Sequence, residues 1–274
     1  MFRSTRTSGR VGALRLAALG LVLAAVGAAC TPPTTGGGTT TTTTTEPVEA
    51  VIEVTDATLA WSYNQYAQYG NFGPWSFTAS GERVSVTQQN GQDVTGLPAE
   101  AGKTYNVVNF AGGTGELDPE TGAGTISWGD TGDWVLNAYP PQYGAPNETL
   151  RDPVLTIEAD GSGSLSFEAY LPAGTGMDGQ PSPAVGPTRI TTVEFADLSS
   201  FTATSLAATP IFAGRVYTPA AGQSPWASCS GVGGSWPSAW IDFLPTSVRP
   251  HYYSTGCGGL QDRKPPTPFT VSWS

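Results

Sequence analysis

The sequence has one histidine and three cysteines, and this scarcity excludes most catalytic and metal-binding arrangements. His251 is the only residue around which a Ser-His-Asp or Cys-His scheme could form. No GxSxG nucleophile elbow, HExxH zinc motif or phosphate-binding loop occurs. Cys229 and Cys257, with that one histidine, cannot complete a structural zinc site at any recognised spacing. The sequence therefore predicts a protein without catalytic residues and without a metal site.

Two close pairs of carboxylates occur, and both are expected in turns. Asp118 with Glu120, and Asp130 with Asp133, lie in glycine-rich segments. Aspartate in such a turn commonly accepts hydrogen bonds from its own backbone. Calcium at the second pair is the alternative, although the spacing of an EF-hand loop is absent.

Basic residues are few, and this argues against nucleic acid as a partner. The chain has 12 Lys and Arg residues against 22 Asp and Glu residues. Four of the arginines precede residue 16, and every acidic residue follows Cys30. The chain beyond Cys30 therefore has eight basic and 22 acidic residues, a net charge of −14. A surface of this sign repels phosphate backbones.

Long apolar runs are also scarce, and the one near the start is typical of a signal peptide. The segment LAALGLVLAAVGAA, residues 16–29, follows the four arginines and is too short to span a membrane comfortably. It ends at Cys30 and looks like a bacterial lipobox, with Gly27 where a Leu or Val is usual. We therefore expect a signal peptide at residues 1–29, a lipid on Cys30 and location at the cell surface. Cleavage after Ala29 to give a soluble secreted protein is the alternative.

Residues 30–47 are rich in Thr, Gly and Pro and contain no large apolar side chain. Nothing in this segment offsets the entropy lost on ordering it. It is interpreted as a disordered tether that holds the remainder of the chain away from the membrane. Cys229 and Cys257 are expected to form a disulfide in an oxidising compartment. The long loop that this bond closes would be worth about 3.5 kcal/mol.

Residues 48–274 are expected to form one antiparallel β domain, either a sandwich or a barrel. Short strand-like runs recur between Gly- and Pro-rich turns, and several alternate between apolar and polar residues, as in residues 164–168. Residues 118–124 and 159–164 carry the Asp and Gly residues of hairpin turns. The stretch WSYNQYAQYG, residues 61–70, is the exception. We predict a strand to about residue 60, then two turns of helix with Tyr63, Tyr66 and Tyr69 on one ridge, ending at Gly70.

Three tryptophans near the predicted disulfide, Trp226, Trp236 and Trp240, permit two interpretations. Exposed rings would stack on sugars and make the protein an adhesion or carbohydrate-binding module. Buried rings would instead fill the interface beneath the disulfide-closed loop.

Several segments resemble, in order along the chain, the haem-transport-associated (Htaa) domain of actinobacterial surface proteins. That family typically has a tryptophan, an aromatic residue five positions later and a tyrosine three positions after that, which here are Trp61, Tyr66 and Tyr69. Two later Gly-rich segments match GTGELDPETGAGTISW, residues 113–128, and LRDPVLTIEADGSGSL, residues 150–165. The resemblance covers residues 51–212, and the C-terminal part looks longer than the usual ending of the family.

The resemblance implies a non-enzymatic β domain that binds haem for uptake or relay, with a tyrosine on the iron and a histidine supporting it. The tyrosine corresponds to Tyr69, and Tyr66 and Tyr63 would line the pocket. A phenolate oxygen suits ferric iron. The family histidine usually follows shortly after the strand GTISW, residues 124–128, where this chain has none. His251 replaces it only if the disulfide loop folds back over the tyrosine helix. The implied partners are haem or another small ligand, the membrane through the N-terminal lipid, and a haem-transport or surface protein. A retained scaffold with a changed ligand is the alternative.

Overall fold

The computed structural model describes residues 51–69, 75–88, 106–137, 146–175, 179–219, 233–257 and 259–274. Val48–Ser274 forms one compact unit by its internal contacts. The predicted signal peptide, the lipidated Cys30 and the Thr-rich tether lie outside the described residues and remain predictions. None of the described helices is long and apolar enough to cross a membrane.

The described part of the chain is mostly antiparallel β-structure, which confirms the predicted fold class. Its strands are β1 Ile52–Trp61, β2 Ser76–Ser80, β3 Val84–Gln88, β4 Asn106–Leu117, β5 Gly124–Ser127, β6 Asp133–Asn137, β7 Glu148–Ile157, β8 Gly163–Leu171, β9 Gly174–Thr175, β10 Pro181–Ser182, β11 Val185–Thr202, β12 Ser205–Pro210, β13 Gly233–Ser235, β14 Tyr253–Thr255 and β15 Phe269–Ser272. The helices are α1 Gln65–Tyr69, α2 Ser238–Phe243 and the 3-10 helices Arg249–Tyr252 and Gly259–Arg263.

Eight strands close into a barrel, so the sandwich is not the arrangement adopted. The order β7-β5-β4-β1-β15-β12-β11-β8 is completed by pairing of β8 with β7. Full closure leaves these strands without a free edge. The C-terminal strand β15 lies between β1 and β12, with Trp61 opposite Phe269 and Ser205 opposite Ser272.

Alternation along the strands directs apolar side chains inward, as the sequence predicts. On β8, Leu165 and Phe167 are buried, whereas Ser166 and Glu168, which alternate with them, are partly exposed. The turn before β5 also follows the prediction, because the Asp118 carboxylate accepts hydrogen bonds from the backbone N–H groups of Glu120 and Thr121 at 2.9 and 2.7 Å. Asp133 does not lie in a turn as predicted, since it belongs to β6, where its carboxylate is 4.0 Å from the Arg151 guanidinium.

Additional strands pair at one end of the barrel, and we call this end the mouth. Here β6 pairs with the start of β7, β2 pairs with β6, and β3 pairs with the start of β4. Beneath the mouth, aromatic rings pack together inside the barrel. Trp61 lies 6.1 Å from both Trp134 and Phe167, and Phe110 lies 5.6 Å from Phe167.

The mouth is covered by α1 and by a C-terminal segment, residues 233–266, which together we call the cap. One backbone and one side-chain hydrogen bond, both to Thr267 just after the cap, fix it to the chain at the end of β1. Thr267 N donates to Tyr63 O at 2.7 Å, and Trp61 Nε1 donates to Thr267 O at 2.9 Å. The cap places residues distant in sequence against α1, and it therefore determines the candidate site.

The helix at the start of the domain exists, but it is shorter than predicted and excludes Tyr63. The Asn64 side chain accepts a hydrogen bond from Ala67 N at 2.6 Å and acts as an N-cap, which starts the helix after it. Tyr63 precedes this N-cap residue, and its backbone is left-handed, with φ +66°. The predicted ridge of three tyrosines is therefore wrong, since only Tyr66 and Tyr69 belong to α1. Gly70 lies outside the described residues.

Candidate functional site

A buried polar centre lies where the cap meets the barrel. Glu148, the first residue of β7, is 1% exposed. The Tyr252 hydroxyl, from a 3-10 helix of the cap, donates to Glu148 Oε1 at 2.6 Å. The Tyr63 hydroxyl donates to Oε2 at 3.1 Å, and the two phenol oxygens are 2.8 Å apart. The carboxyl thus joins β7 to the C-terminal segment of the cap and to the residue that precedes the N-cap of α1.

Burial governs the protonation of this centre. It raises the pKa of Glu148 to about 7, and the hydrogen bonds from Tyr252 and Tyr63 oppose that shift. Burial, followed by the nearby Glu148 charge, raises the pKa of both phenols well above its ordinary value. The two tyrosines therefore remain protonated donors over the physiological range.

Tyr63 is a core residue. It is fully buried, and its ring lies 4.9 Å from Trp236, 5.1 Å from Trp61 and 5.3 Å from Trp134. With its hydroxyl engaged by Glu148 and Tyr252, it cannot line an open pocket in this conformation. The prediction that Tyr63 is a pocket aromatic is therefore wrong.

A second cluster, which we call the α1 triad, consists of Tyr66, Trp75 and His251. The His251 ring lies 5.3 Å from the rings of both Tyr66 and Trp75. Tyr66 meets Trp75 edge to face at 6.3 Å. The cap thus brings the single histidine onto the helix that carries Tyr69, although the two segments are far apart in the sequence.

The triad is neutral at physiological pH. Tyr66 is 6% exposed and His251 is 7% exposed. Burial lowers the pKa of His251 to about 3, and the Lys264 charge adds to this shift. Burial raises the pKa of Tyr66. A neutral imidazole next to a protonated phenol has both donor and acceptor capacity.

Lys264 holds the two 3-10 helices and β14 together beneath the triad. Its ammonium donates to Pro250 O at 2.7 Å, to Tyr253 O at 3.0 Å and to Gln261 Oε1 at 2.6 Å. It also lies 5.7 Å from the centre of the Tyr66 ring. Burial lowers its pKa to about 7, whereas the three acceptors favour the charged form. Its three N–H groups are directed at protein acceptors, which makes Lys264 a structural residue of the cap.

The structure describes the side chains of only some of the remaining predicted site residues. Tyr69 ends α1, but its side chain is outside the described residues, as are Trp226 and Cys229. Trp236 and Trp240 are fully buried against the cap and barrel. They therefore cannot form the exposed stacking surface of the carbohydrate alternative. Cys257 is partly buried, and its disulfide with Cys229 remains a prediction.

Sequence reasoning missed Glu148, Trp75 and Lys264. Lys264 is one of only two lysines in the chain, and this rarity was the one available signal. Glu148 and Trp75 belong to no catalytic or metal-binding motif, and only the tertiary structure buries them.

The α1 triad suits haem as a ligand, whereas Tyr63 and Lys264 do not. A phenol and a neutral imidazole are the groups that support ferric haem, and the α1 triad places them side by side. Tyr63 and Lys264 do not fit, because their polar atoms are already bonded within the protein. Among the residues that the structure describes, no group of three or more His, Cys, Asp and Glu side chains could hold a bare metal ion.

The fold and the site together define a closed antiparallel barrel with an aromatic cap over one mouth. No protein-family model, curated protein or solved structure matches the chain.

Proposed function

We propose that this chain is a non-enzymatic, lipid-anchored protein of the cell surface that binds haem or a related porphyrin at α1. The observation that carries the proposal is the contact between His251 and Tyr66, 5.3 Å between ring centres. The resemblance to Htaa domains implies a histidine beside the tyrosine segment, and the contact of His251 with Tyr66 supports His251 in that role.

Tyr69 and the three residues of the α1 triad have separate roles in this proposal. Tyr69 is one helical turn beyond Tyr66 on α1, a spacing that puts both residues on one side of the helix. Tyr69 supplies the phenol oxygen for the iron. Tyr66 and Trp75 form the apolar wall, and the neutral His251 acts as the hydrogen-bonding partner. Bound haem would supply the iron that is taken up or passed on.

Lipid anchorage and surface location rest on the sequence alone. The basic segment, the apolar residues 16–29 and Cys30 support an exported lipoprotein, and the tether would hold the barrel away from the membrane. The surface charge supports an extracytoplasmic binding role without a nucleic-acid partner.

The test is a hemin titration of residues 46–274, which contain the whole compact unit, followed in the Soret region. We expect a saturable difference spectrum of the tyrosinate type for the wild type and its loss in Tyr69→Phe. Tyr170→Phe is the matched control, because Tyr170 is 37% exposed on β8 of the barrel wall.

Two results would count against the proposal. A wild-type protein without a saturable spectrum excludes haem as the ligand. Binding that survives Tyr69→Phe but is lost in Tyr66→Phe moves the iron ligand to Tyr66. Thermal unfolding of each variant separates loss of the ligand from loss of the fold.

A further inference from the structure

A groove on the outer surface, distinct from the α1 triad, lies between residues 180–185 and the loop that follows α2. We call it the α2 groove. Its volume is about 400 Å³, and its lining includes Ser182, Asp242, Phe243 and Arg249. The size lies within the range of small-ligand sites. Neither the sequence motifs nor the haem proposal assigns it a role.

A fixed carboxylate is the main polar feature of the groove. The Asp242 side chain is 61% exposed, and its Oδ1 accepts a hydrogen bond from the Tyr217 hydroxyl at 2.9 Å. Oδ1 also lies 3.5 Å from Arg249 Nη1. Two partners thus hold this acceptor in place while much of it remains open to a ligand. A carboxylate in this state accepts hydrogen bonds from hydroxyl groups.

Arg249 makes the loop rigid. Its Nε donates to Leu244 O at 2.8 Å, and its Nη2 donates to Asp242 O at 2.8 Å. The guanidinium therefore closes the loop on itself before any ligand arrives. A preformed loop reduces the entropy lost on binding.

Part of the lining of the groove is apolar. Phe243 is partly buried and stacks on Trp240, with ring centres 5.8 Å apart and planes 25° apart. Pro181, Pro183 and Pro245 add rigid rings to the lining. Ser182 is buried among them, and its hydroxyl makes no hydrogen bond within the described part of the chain. A buried hydroxyl of this kind has unused capacity for a partner.

We propose that the α2 groove binds a neutral monosaccharide or disaccharide. A sugar ring offers hydroxyl donors along its edge for Asp242 and a C–H face for Phe243 and the prolines. The net charge of −14 beyond Cys30 disfavours acidic sugars. This site is separate from the buried Trp236 and Trp240, and it does not depend on haem binding.

The test is saturation-transfer-difference NMR of residues 46–274 with three probes, the methyl glycosides of mannose, galactose and glucose, each to about 10 mM. We expect saturable transfer to at least one of them. Asp242→Asn should weaken that binding at least about tenfold, because a neutral amide is the poorer acceptor. The matched control is Glu194→Gln, since this carboxylate also accepts from an arginine, Arg215 at 2.6 Å, but lies outside the groove.

A second variant, Ser247→Phe, places a bulky ring in the groove and should abolish binding without touching Asp242. Thermal unfolding confirms that each variant is folded. The proposal is overturned if none of the three glycosides gives saturable transfer, or if folded Asp242→Asn and Ser247→Phe proteins bind as the wild type does. The methyl glycoside of glucuronic acid serves as a fourth, acidic probe, and its tighter binding overturns the assignment to neutral sugars.

Discussion

Replacing Glu148 by glutamine tests whether the carboxyl beneath the cap is protonated in the folded protein. Burial raises its pKa from 4.5 to about 7. Between these values the folded state holds a proton that the unfolded state has lost. The free energy of unfolding of the wild type therefore contains a contribution that falls as pH rises through this window. Glutamine resembles the protonated carboxyl and cannot ionise, so it removes that contribution.

The size of this contribution to the free energy of unfolding follows from the pKa shift of Glu148. One pKa unit corresponds to about 1.4 kcal/mol, so the window is worth about 3 kcal/mol in total. His251 acts with the opposite sign, because its pKa is lowered from 6.5 to about 3. Between those values the unfolded state holds the additional proton, and stability rises with pH. From about pH 4.5 to about pH 6.5 the two contributions of the wild type nearly cancel.

The assay is urea unfolding followed by tryptophan fluorescence from about pH 4.5 to about pH 8. The measured quantity is the free energy of unfolding of Glu148→Gln minus that of the wild type, in which the contributions of His251 and Lys264 cancel. We expect this difference to increase by about 3 kcal/mol over the range. Glu53→Gln gives the effect of the same chemical change at an exposed position of β1. A difference for Glu148→Gln that does not vary with pH would refute the reasoning.

Two further substitutions test other parts of the cap. Asn64→Ala should lower the free energy of unfolding by about 1 kcal/mol in urea titrations, because Ala67 N loses its acceptor. The control is Gln65→Ala at the exposed neighbouring position, which should change the free energy of unfolding by less than about 0.5 kcal/mol. Equal effects of the two substitutions would contradict the N-cap assignment. Lys264→Met should lower it by about 3 kcal/mol, because two backbone carbonyls and Gln261 lose their buried donor. Hydrogen exchange should then accelerate in Gly259–Arg263 and not in β8, and uniform acceleration would contradict a local role.

The fold class could be predicted from the sequence because it depends on local patterns. Alternation in β8 and the Asp118 turn are both visible in short windows, and both occur in the structure. Barrel closure could not be predicted in this way. It depends on the pairing of β7 with β8 and on β15 lying between β1 and β12, and no short window contains the register of distant strands.

The helix shows how a local signal can be misread. The spacing of Tyr63, Tyr66 and Tyr69 favoured a ridge of three, but Asn64 is a strong N-cap residue and starts the helix after itself. The N-cap preference of Asn64 is by itself sufficient to exclude Tyr63 from α1. The burial of Glu148 and Lys264 had no comparable signal, since charged residues are rarely fully buried and only the cap encloses them.

The meeting of His251 and Tyr66 follows from the topology of the barrel. Strands β1 and β15 pair antiparallel with Trp61 opposite Phe269, so the chain leaving β1 and the chain entering β15 emerge at the same end. The former continues into α1, and the latter arrives from the cap, which contains His251 and Lys264. A fragment that ended at Phe212, where the resemblance to Htaa domains ends, would lack both the C-terminal segment of the cap and β15. The edges of β1 and β12 would then be unpaired and the barrel open. The histidine that supports the proposed haem site therefore comes from the same segment that closes the barrel, and binding must be measured on the whole of residues 46–274.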